Sequence, residues 1–177
     1  MVLAAAWGFA EATLFFVVPD VWLNLIAVRR GIRPALRACL FALAGALAGG
    51  AVMFGLGVAD LDAGRGVLDR VPAISPAMIA AVGEALAAQG VGALFVGPLA
   101  GIPYKIYAVE AAAAGIGAAT FLAASIPARL ARFVLLVLVA GGLSRVLERR
   151  LSRRATTGLL LAVWSVFYAV YLTVVPG

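Results

Sequence analysis

The amino-acid sequence predicts an all-α integral membrane protein. We expect an inverted repeat of a re-entrant hairpin followed by a transmembrane helix, with an interfacial amphipathic helix between the repeats and a final C-terminal transmembrane helix. Hydrophobic residues make up 65% of the 177 residues and charged residues only 12%, whereas soluble domains are about half apolar and a quarter charged. Proline and glycine interrupt two of the apolar regions, and most of the arginines fall in two clusters.

Three apolar stretches, roughly 38–59, 130–143 and 156–175, are nearly free of charge. A helix needs about 20 such residues to cross about 30 Å of hydrocarbon. Two further apolar regions, 2–28 and 91–124, contain charges and internal breaks. The chain is therefore predicted to cross a membrane several times.

The arginine clusters at 29–37 and 145–154 set the topology. Under the positive-inside rule both clusters lie on the cytoplasmic side, here of the cytoplasmic (inner) membrane. The span 38–59 then leads outward, and the polar, Gly/Pro-containing start of segment 60–90 lies outside. Since the chain must return inward before residue 145, region 91–124 begins and ends outside. A re-entrant hairpin is expected there.

Proline and glycine mark the turn of each hairpin. The second turn, "GPLAGIPYK", contains Pro98, Gly101 and Pro103, which interrupt a helix, and the first region contains Pro19. Broken backbone at membrane depth is tolerated where it is buried in protein or lines a wet cavity. We expect both turns to lie inside the protein.

The proline of each break is followed by a glycine at the same distance along the chain. Pro19 and Pro103 are each followed twelve residues later by a glycine, Gly31 and Gly115. Interrupted apolar segments at matching places in two halves are typical of transporter sites. We interpret the chain as one membrane domain, 1–177, with these parts: repeat 1–59, loop and amphipathic helix 60–90, repeat 91–144, and C-terminal helix 156–175.

An interfacial helix is predicted between the repeats. Ser75 can cap it, Pro76 fits its first turn, and Gly90 ends it. Three apolar residues fall on one side: Ile79, Val82 and Leu86. We expect this helix to lie on the membrane with a structural role.

Arg129 and Arg132 are candidate substrate-binding residues. Twelve residues separate Arg132 from Arg145, a rise of roughly 18 Å, so both arginines are expected below the outer membrane surface. They follow Ser125-Ile126-Pro127, a predicted helix start whose free N–H groups favour phosphate. The alternative is that both snorkel to lipid headgroups.

Lys105 follows the second break directly and is a third candidate for binding the substrate. Tyr104 and Tyr107 flank it, so it also fits an interfacial anchor. Glu110, five residues on, is either its partner or a residue near the hairpin mouth. We include Glu110 among the proton-coupling or gating candidates.

Glu11 and Asp20 flank the first turn, nine positions apart in an otherwise apolar run. Carboxylates inside a membrane usually face the bundle interior or a water cavity. Their expected partners are Lys105, Arg129 and Arg132. Burial favours the protonated form, which predicts proton coupling or gating; the alternative is that both acids are structural salt bridges.

Other residues argue against several classes of function. The chain has a single cysteine, Cys39, and no histidine, and no pattern of a nucleophile–base pair or metal site is present. We expect no enzyme, no cofactor and no metal, and we attribute the net charge of +6 to topology rather than to nucleic-acid binding. The C-terminal helix has an aromatic stripe, for which core or lipid contact is favoured over ligand stacking: Trp164, Phe167, Tyr168 and Tyr171.

The first half resembles the DedA family, also called VTT or SNARE-associated membrane proteins, and most closely its small YqaA-like branch. The family's first hairpin has a glutamate, an apolar run, a proline and a second acid. "FAEATLFFVVPDV" is similar to this pattern with Glu11, Pro19 and Asp20.

The second half resembles the same family over shorter motifs. "GPLAGIPYK" matches its Gly/Pro-rich turn with Lys105, and "PARLARFVLLV" matches the start of the next span with Arg129 and Arg132. Three positions depart from the pattern: Ala128 replaces a glycine, while Pro98 and Lys105 stand where many members have arginine. The resemblance covers about residues 5–143.

The resemblance implies an inverted-repeat fold and movement of phospholipids or polyprenyl-phosphate lipids between leaflets, coupled to protons in bacteria. The leading hypothesis is therefore a lipid flippase or scramblase whose partner is an anionic membrane lipid. The alternatives are a small-ion transporter or channel and a membrane assembly scaffold without transport. Self-association into a homo-oligomer is left open.

Overall fold

The structure is a computed structural model that describes residues 1–97 and 101–174, with side chains to residue 173. The described residues are helical and connected by short turns, with a 3-10 turn at Gly90–Gly92. The α-helices are α1 (Val2–Thr13), α2 (Asp20–Arg30), α3 (Ile32–Ala59), α4 (Leu61–Leu68), α5 (Pro76–Gln89), α6 (Ala93–Val96), α7 (Tyr104–Ala113), α8 (Ala118–Leu147) and α9 (Arg153–Val174).

Four helical segments are long and apolar enough to cross a membrane: Ile32–Ala59, Pro76–Val96, Ala118–Leu147 and Arg153–Thr173. Three of them contain or largely overlap the predicted spans. The chain is therefore an all-helical, multi-pass membrane protein, as its composition predicts.

Helix α3 is the centre of the bundle and packs against α1, α7 and α8. Small residues allow the backbones to approach closely. A Cβ atom at Gly8 would overlap the backbone of Ala42, and one at Gly57 would overlap the backbone of Val109. Close backbone contact of this kind stabilises helix pairs in membranes, where lipid removes the hydrophobic driving force.

Two helix–break–helix units pack around α3. Residues 14–19 separate α1 from α2, and residues 97–103 separate α6 from α7. Pro19 and Pro103 each stand immediately before the second helix of the unit. The second helix of each unit therefore begins directly after one of the two prolines, Pro19 or Pro103.

Glycines with positive φ angles connect the broken units. Gly101 in the second break has a φ of +89°, while Gly31 and Gly115 have values of +92° and +74° after α2 and α7. Such angles favour glycine because it has no Cβ. The spacing shared by the two halves therefore has the same conformational basis in both. Pro98, predicted to help break the second hairpin, lies outside the described residues.

The predicted start of the span after the second hairpin is wrong. Helix α8 begins at Ala118 and runs through Pro127 without ending, and the Ser125 hydroxyl donates to the Phe121 carbonyl at 2.7 Å. Proline is tolerated inside membrane helices when neighbouring groups satisfy the freed backbone. Arg129 and Arg132 thus lie inside α8, and the predicted helix start at Ser125–Pro127 does not place free N–H groups beside them.

The helix predicted from Ser75 to Gly90 begins as expected but extends further. The Ser75 hydroxyl accepts from the Met78 N–H at 3.3 Å, and the predicted apolar stripe is buried. At Gly90, a 3-10 turn continues the helical run to Val96. The helical run 76–96 therefore continues across the predicted boundary at residue 91, and residue 124 lies in α8, which begins at Ala118.

Both arginine clusters lie at one end of the bundle. Arg29 and Arg30 from the end of α2 line a pocket of about 220 Å³ together with Arg145, Glu148 and Arg153. Arginines of the two clusters therefore lie close together in the structure.

Candidate functional site

A cavity of about 560 Å³ lies between the two breaks and helices α8 and α9. Three charged side chains line it, Glu11, Lys105 and Arg132. The remaining wall is mostly apolar and includes Phe16, Ile102, Leu135, Leu136, Val163 and Phe167. The cavity is thus amphipathic, with charged groups set in a mainly hydrocarbon-like wall.

Glu11 on α1 is bound by the Arg129 guanidinium of α8, and both side chains are buried. The guanidinium also lies 4.3 Å from the centre of the Tyr104 ring and 5.2 Å from that of Phe133. The Tyr104 hydroxyl donates to Ser125 at 3.0 Å. Arg129 is therefore held by a carboxylate and two aromatic rings, and it does not line the cavity.

Asp20 at the start of α2 forms the second ion pair of the site. Its Oδ2 accepts from Arg132 Nη2 at 2.8 Å, and the Arg132 side chain is 21% exposed whereas Asp20 is buried. The other carboxylate oxygen, Oδ1, and Oδ1 of Asn24 one helical turn later have no hydrogen-bond partner among the described residues. Asp20 therefore keeps a free acceptor oxygen inside the protein.

Lys105 is the third basic residue of the site, and it has no carboxylate partner among the described residues. Its Nζ donates to the Phe15 carbonyl in the first break at 3.1 Å, and the residue is 1% exposed. Among the described residues, no carboxylate lies within 4.0 Å of Nζ. With Glu11 and Asp20 each bound to an arginine, the described part of the site contains three basic side chains and two carboxyl groups.

Glu110 lies away from the cavity. Its two oxygens accept from Arg65 of α4 at 2.7 and 2.8 Å, and it is 2% exposed. This hydrogen bond raises the pKa of Arg65 above its ordinary value, so the guanidinium stays charged. The suggested pairing of Glu110 with Lys105 does not occur. Glu110 fixes α4 to the second unit and does not line the cavity, and its role in proton coupling stays a prediction.

Sequence reasoning missed several groups of the site. Asn24 faces the interior beside Asp20, and the Phe15 carbonyl is a backbone acceptor, which leaves no signature in a sequence. The Tyr168 hydroxyl accepts from the Val18 N–H at 2.8 Å. The helical spacing of the aromatic residues of α9 predicts a stripe in contact with the core or with lipid. In the structure, four of these residues line the cavity.

The charges of the cavity favour an anion over a metal. Within residues 1–97 and 101–174, no three His, Cys, Asp or Glu side chains converge where a metal ion would bind. Two cationic groups and one carboxylate line the cavity. An oxyanion that accepts hydrogen bonds from an ammonium and a guanidinium matches this set.

The fold and cavity define a class: a multi-pass, all-helical membrane protein with an amphipathic, cation-bearing cavity beside two broken helices. Comparisons with protein-family models, curated proteins and solved structures give no match. The relation to the DedA family is therefore a proposal that rests on the quoted motifs.

Proposed function

We propose that this protein moves an anionic lipid, a phospholipid or polyprenyl phosphate, between the leaflets of a membrane, as the DedA resemblance implies. The observation that carries the proposal is Lys105, whose buried Nζ has no carboxylate within 4.0 Å among residues 1–97 and 101–173, in a cavity with mostly apolar walls. A phosphate in the cavity supplies the missing negative charge, while the hydrocarbon chain stays against the apolar wall.

The electrostatic argument depends on burial. A charged group removed from water is strongly destabilised unless it is paired and hydrogen-bonded. Lys105 has one neutral acceptor, the Phe15 carbonyl, which leaves two of its three ammonium protons for a ligand. Arg132 lines the same cavity, so a phosphate can accept from both cations.

The helix lengths support re-entrant hairpins. Helices α2 and α7 have 11 and 10 residues, or roughly 15 Å each, about half of the hydrocarbon thickness. Each then connects through a positive-φ glycine to a membrane-length helix, α3 or α8. We propose an inverted repeat of hairpin and span on this basis, with both breaks meeting at the cavity.

Residues 76–96 support a revised placement of the second hairpin. This helical run is long and apolar enough to cross a membrane, and its buried residues pack against α7. We propose that it inserts as the first arm of the hairpin, in place of the surface location that its first half suggests.

The acids of the first unit are proposed to couple protons to transport. Glu11 lines the cavity and can be reached from it, whereas Asp20 is buried behind Arg132. Protonation of either acid weakens its hold on an arginine, and a released Arg132 binds phosphate more strongly. Arg129 lies outside the cavity wall, which supports a role in holding Glu11 rather than in binding the headgroup.

The protein is proposed to lie in the cytoplasmic membrane with its arginine clusters on the cytoplasmic side. The shared pocket of Arg29, Arg30, Arg145 and Arg153 supports a common side for both clusters. Under the positive-inside rule that side is the cytoplasm.

Reconstitution into liposomes tests the lipid role. Lys105→Met removes the charge and keeps the length, and Lys105→Arg keeps the charge. We expect labelled phosphatidylglycerol to exchange between leaflets at least tenfold more slowly with Lys105→Met, and Lys105→Arg to retain much of the rate. Arg70→Met removes an exposed cation and is the matched control. A wild-type rate for Lys105→Met overturns the role of this residue.

A pH gradient across the same liposomes tests coupling. With wild-type protein, the net direction of lipid movement is expected to reverse with the gradient, and Glu11→Gln is expected to abolish this response. Equal movement in both directions, with and without a gradient, identifies passive scrambling instead.

A small-anion carrier is the second candidate, because an ammonium also binds chloride or inorganic phosphate. The apolar wall of the cavity favours a lipid, since a small hydrated ion gains nothing from it. Radiolabelled phosphate or chloride uptake into the liposomes, with no lipid exchange, is the result that would replace the lipid proposal.

A further inference from the structure

Helix α9 is the least integrated of the membrane-length helices. In its membrane-length window 6% of the residues are buried, compared with 50% for α3. Among the described helices it packs chiefly against α2. Its aromatic residues nevertheless form one wall of the cavity: Trp164, Phe167, Tyr168 and Tyr171.

Two tyrosines attach α9 to the breaks of the two units. The Tyr168 hydroxyl accepts from the Val18 N–H at 2.8 Å in the first break. The Tyr171 hydroxyl lies 3.5 Å from the Gly101 carbonyl in the second break. The Phe16 ring meets Tyr168 edge-on, with 6.1 Å between ring centres. These contacts are neutral, unlike the ion pairs between the first unit and α8.

Helices α8 and α9 both line the cavity, and we call the side of the cavity between them the lateral slot. The two helices are not a closely packed pair among the described residues. Leu135 of α8 lines the cavity and is 54% exposed, and Val163 of α9 lines it and is 58% exposed. Residues that belong both to the cavity and to the outer surface mark a direction in which the cavity opens toward the bilayer.

We propose that α9 is the lateral door of the cavity and that its aromatic face binds the part of the lipid's hydrocarbon chain nearest to the phosphate. The identity of the ligand as an anionic lipid rests on the function proposed above; the movement of α9 does not.

In this proposal, the polar and apolar parts of the ligand contact different sides of the cavity. The phosphate is held by Lys105 and Arg132, while the chain lies along Trp164 and Phe167 and leaves through the slot. Aromatic rings offer large, rigid apolar surface, and tyrosine adds a hydroxyl at the polar end. At the two breaks, opening the door requires α9 to separate from neutral contacts only, so the ion pairs of the first unit remain in place. The ion pair of Arg153 with Glu148, at 3.5 Å, lies at the other end of α9.

A reversible cross-link tests the door. Phe16→Cys with Tyr168→Cys, in a Cys39→Ala background, places thiols on both sides of the contact, and a short cleavable thiol cross-linker joins them. We expect the cross-linked protein to exchange labelled phosphatidylglycerol at least tenfold more slowly than the same protein after cleavage. Each single-cysteine variant treated with the reagent is a control for modification alone.

The outcomes separate the door from the translocase. Equal exchange before and after cleavage overturns the door and leaves lipid transport standing. Absence of exchange by the wild-type protein overturns the proposed function, and the door is then tested by distance.

For the distance test, nitroxide labels on Leu138→Cys and Val166→Cys report the separation of α8 and α9 in lipid nanodiscs, again in the Cys39→Ala background. Both positions are exposed, so labelling does not disturb the cavity. We expect two distance populations, with the longer one enriched at least twofold by Tyr168→Phe, which removes the acceptor for the Val18 N–H. A single distance that Tyr168→Phe leaves unchanged overturns the door.

Discussion

The two helix–break–helix units share a plan but differ in how they balance charge. The first unit has two carboxylates, Glu11 and Asp20, and each is bound by an arginine of α8. The second has Lys105, which is bound by a backbone carbonyl, and Glu110, which is bound by Arg65 of α4. The first unit is neutralised by its contact with α8, whereas the second leaves a positive charge at the cavity. In the proposed function, this difference makes Lys105 of the second unit a ligand-binding residue, while the acids of the first unit bind the arginines of α8.

The glutamates of the two units show the same contrast in another form. Glu11 and Glu110 are both nearly inaccessible, at 4% and 2% exposure. The arginine that binds Glu11 is also buried, with 5% of its side chain exposed, whereas 42% of the Arg65 side chain is exposed. Water can replace Arg65 in part but has little access to Arg129. Breaking the Glu11–Arg129 pair should therefore lower the free energy of unfolding more than breaking the Glu110–Arg65 pair.

The largest effect on stability is expected at the buried pair. Arg129→Met leaves Glu11 without its guanidinium partner in the interior, and breaking a buried pair by removing one partner costs about 3–5 kcal/mol. The double variant Glu11→Leu/Arg129→Met removes both charges and should recover most of this loss. Unfolding in detergent, followed by circular dichroism, measures both. If the single and double variants lose the same stability, the two side chains are not coupled.

The next largest effect on stability is expected at the contact between α3 and α7 of the second unit. Gly57→Ala places a Cβ against the Val109 backbone of α7, and overpacking of this kind costs about 1–3 kcal/mol. Gly55→Ala, two residues earlier in α3, meets no atom within 4 Å and should gain up to about 1 kcal/mol from helix propensity. The same unfolding assay compares them. Equal stability of the two variants would show that α3 and α7 do not approach so closely.

Breaking the partly exposed ion pair of Arg65 and Glu110 should lower the free energy of unfolding by a smaller amount. Arg65→Gln leaves Glu110 with a weaker partner, and a buried acceptor left without its bond costs about 1–3 kcal/mol. Because water reaches the Arg65 side, we expect the lower end of that range. Lipid exchange per folded protein should match the wild-type rate, since neither residue lines the cavity. A large loss of exchange at unchanged stability would return Glu110 to the transport mechanism.

The sequence predicts the membrane class and the prolines that precede α2 and α7, because these depend on composition and on local conformational limits. The positions of Pro19 and Pro103 follow from the missing N–H of proline. The start of α8 was mispredicted at Pro127, since in a membrane helix neighbouring groups compensate for proline. The Glu110–Arg65 bond joins residues 45 positions apart, and no local pattern indicates it. The role of α9 depends on where an exposed helix docks, which its own periodicity does not specify.

The smallest effects are expected where α9 meets the two breaks. Tyr168→Phe removes a 2.8 Å hydrogen bond to the first unit and should cost about 1 kcal/mol. Tyr171→Phe removes a contact of 3.5 Å to the second unit, at the limit of hydrogen-bond geometry, and should cost under about 0.5 kcal/mol. Paired unfolding curves in one detergent resolve the difference. A larger loss for Tyr171→Phe would mean that α9 is anchored on the second unit, and the door would then hinge at the opposite break.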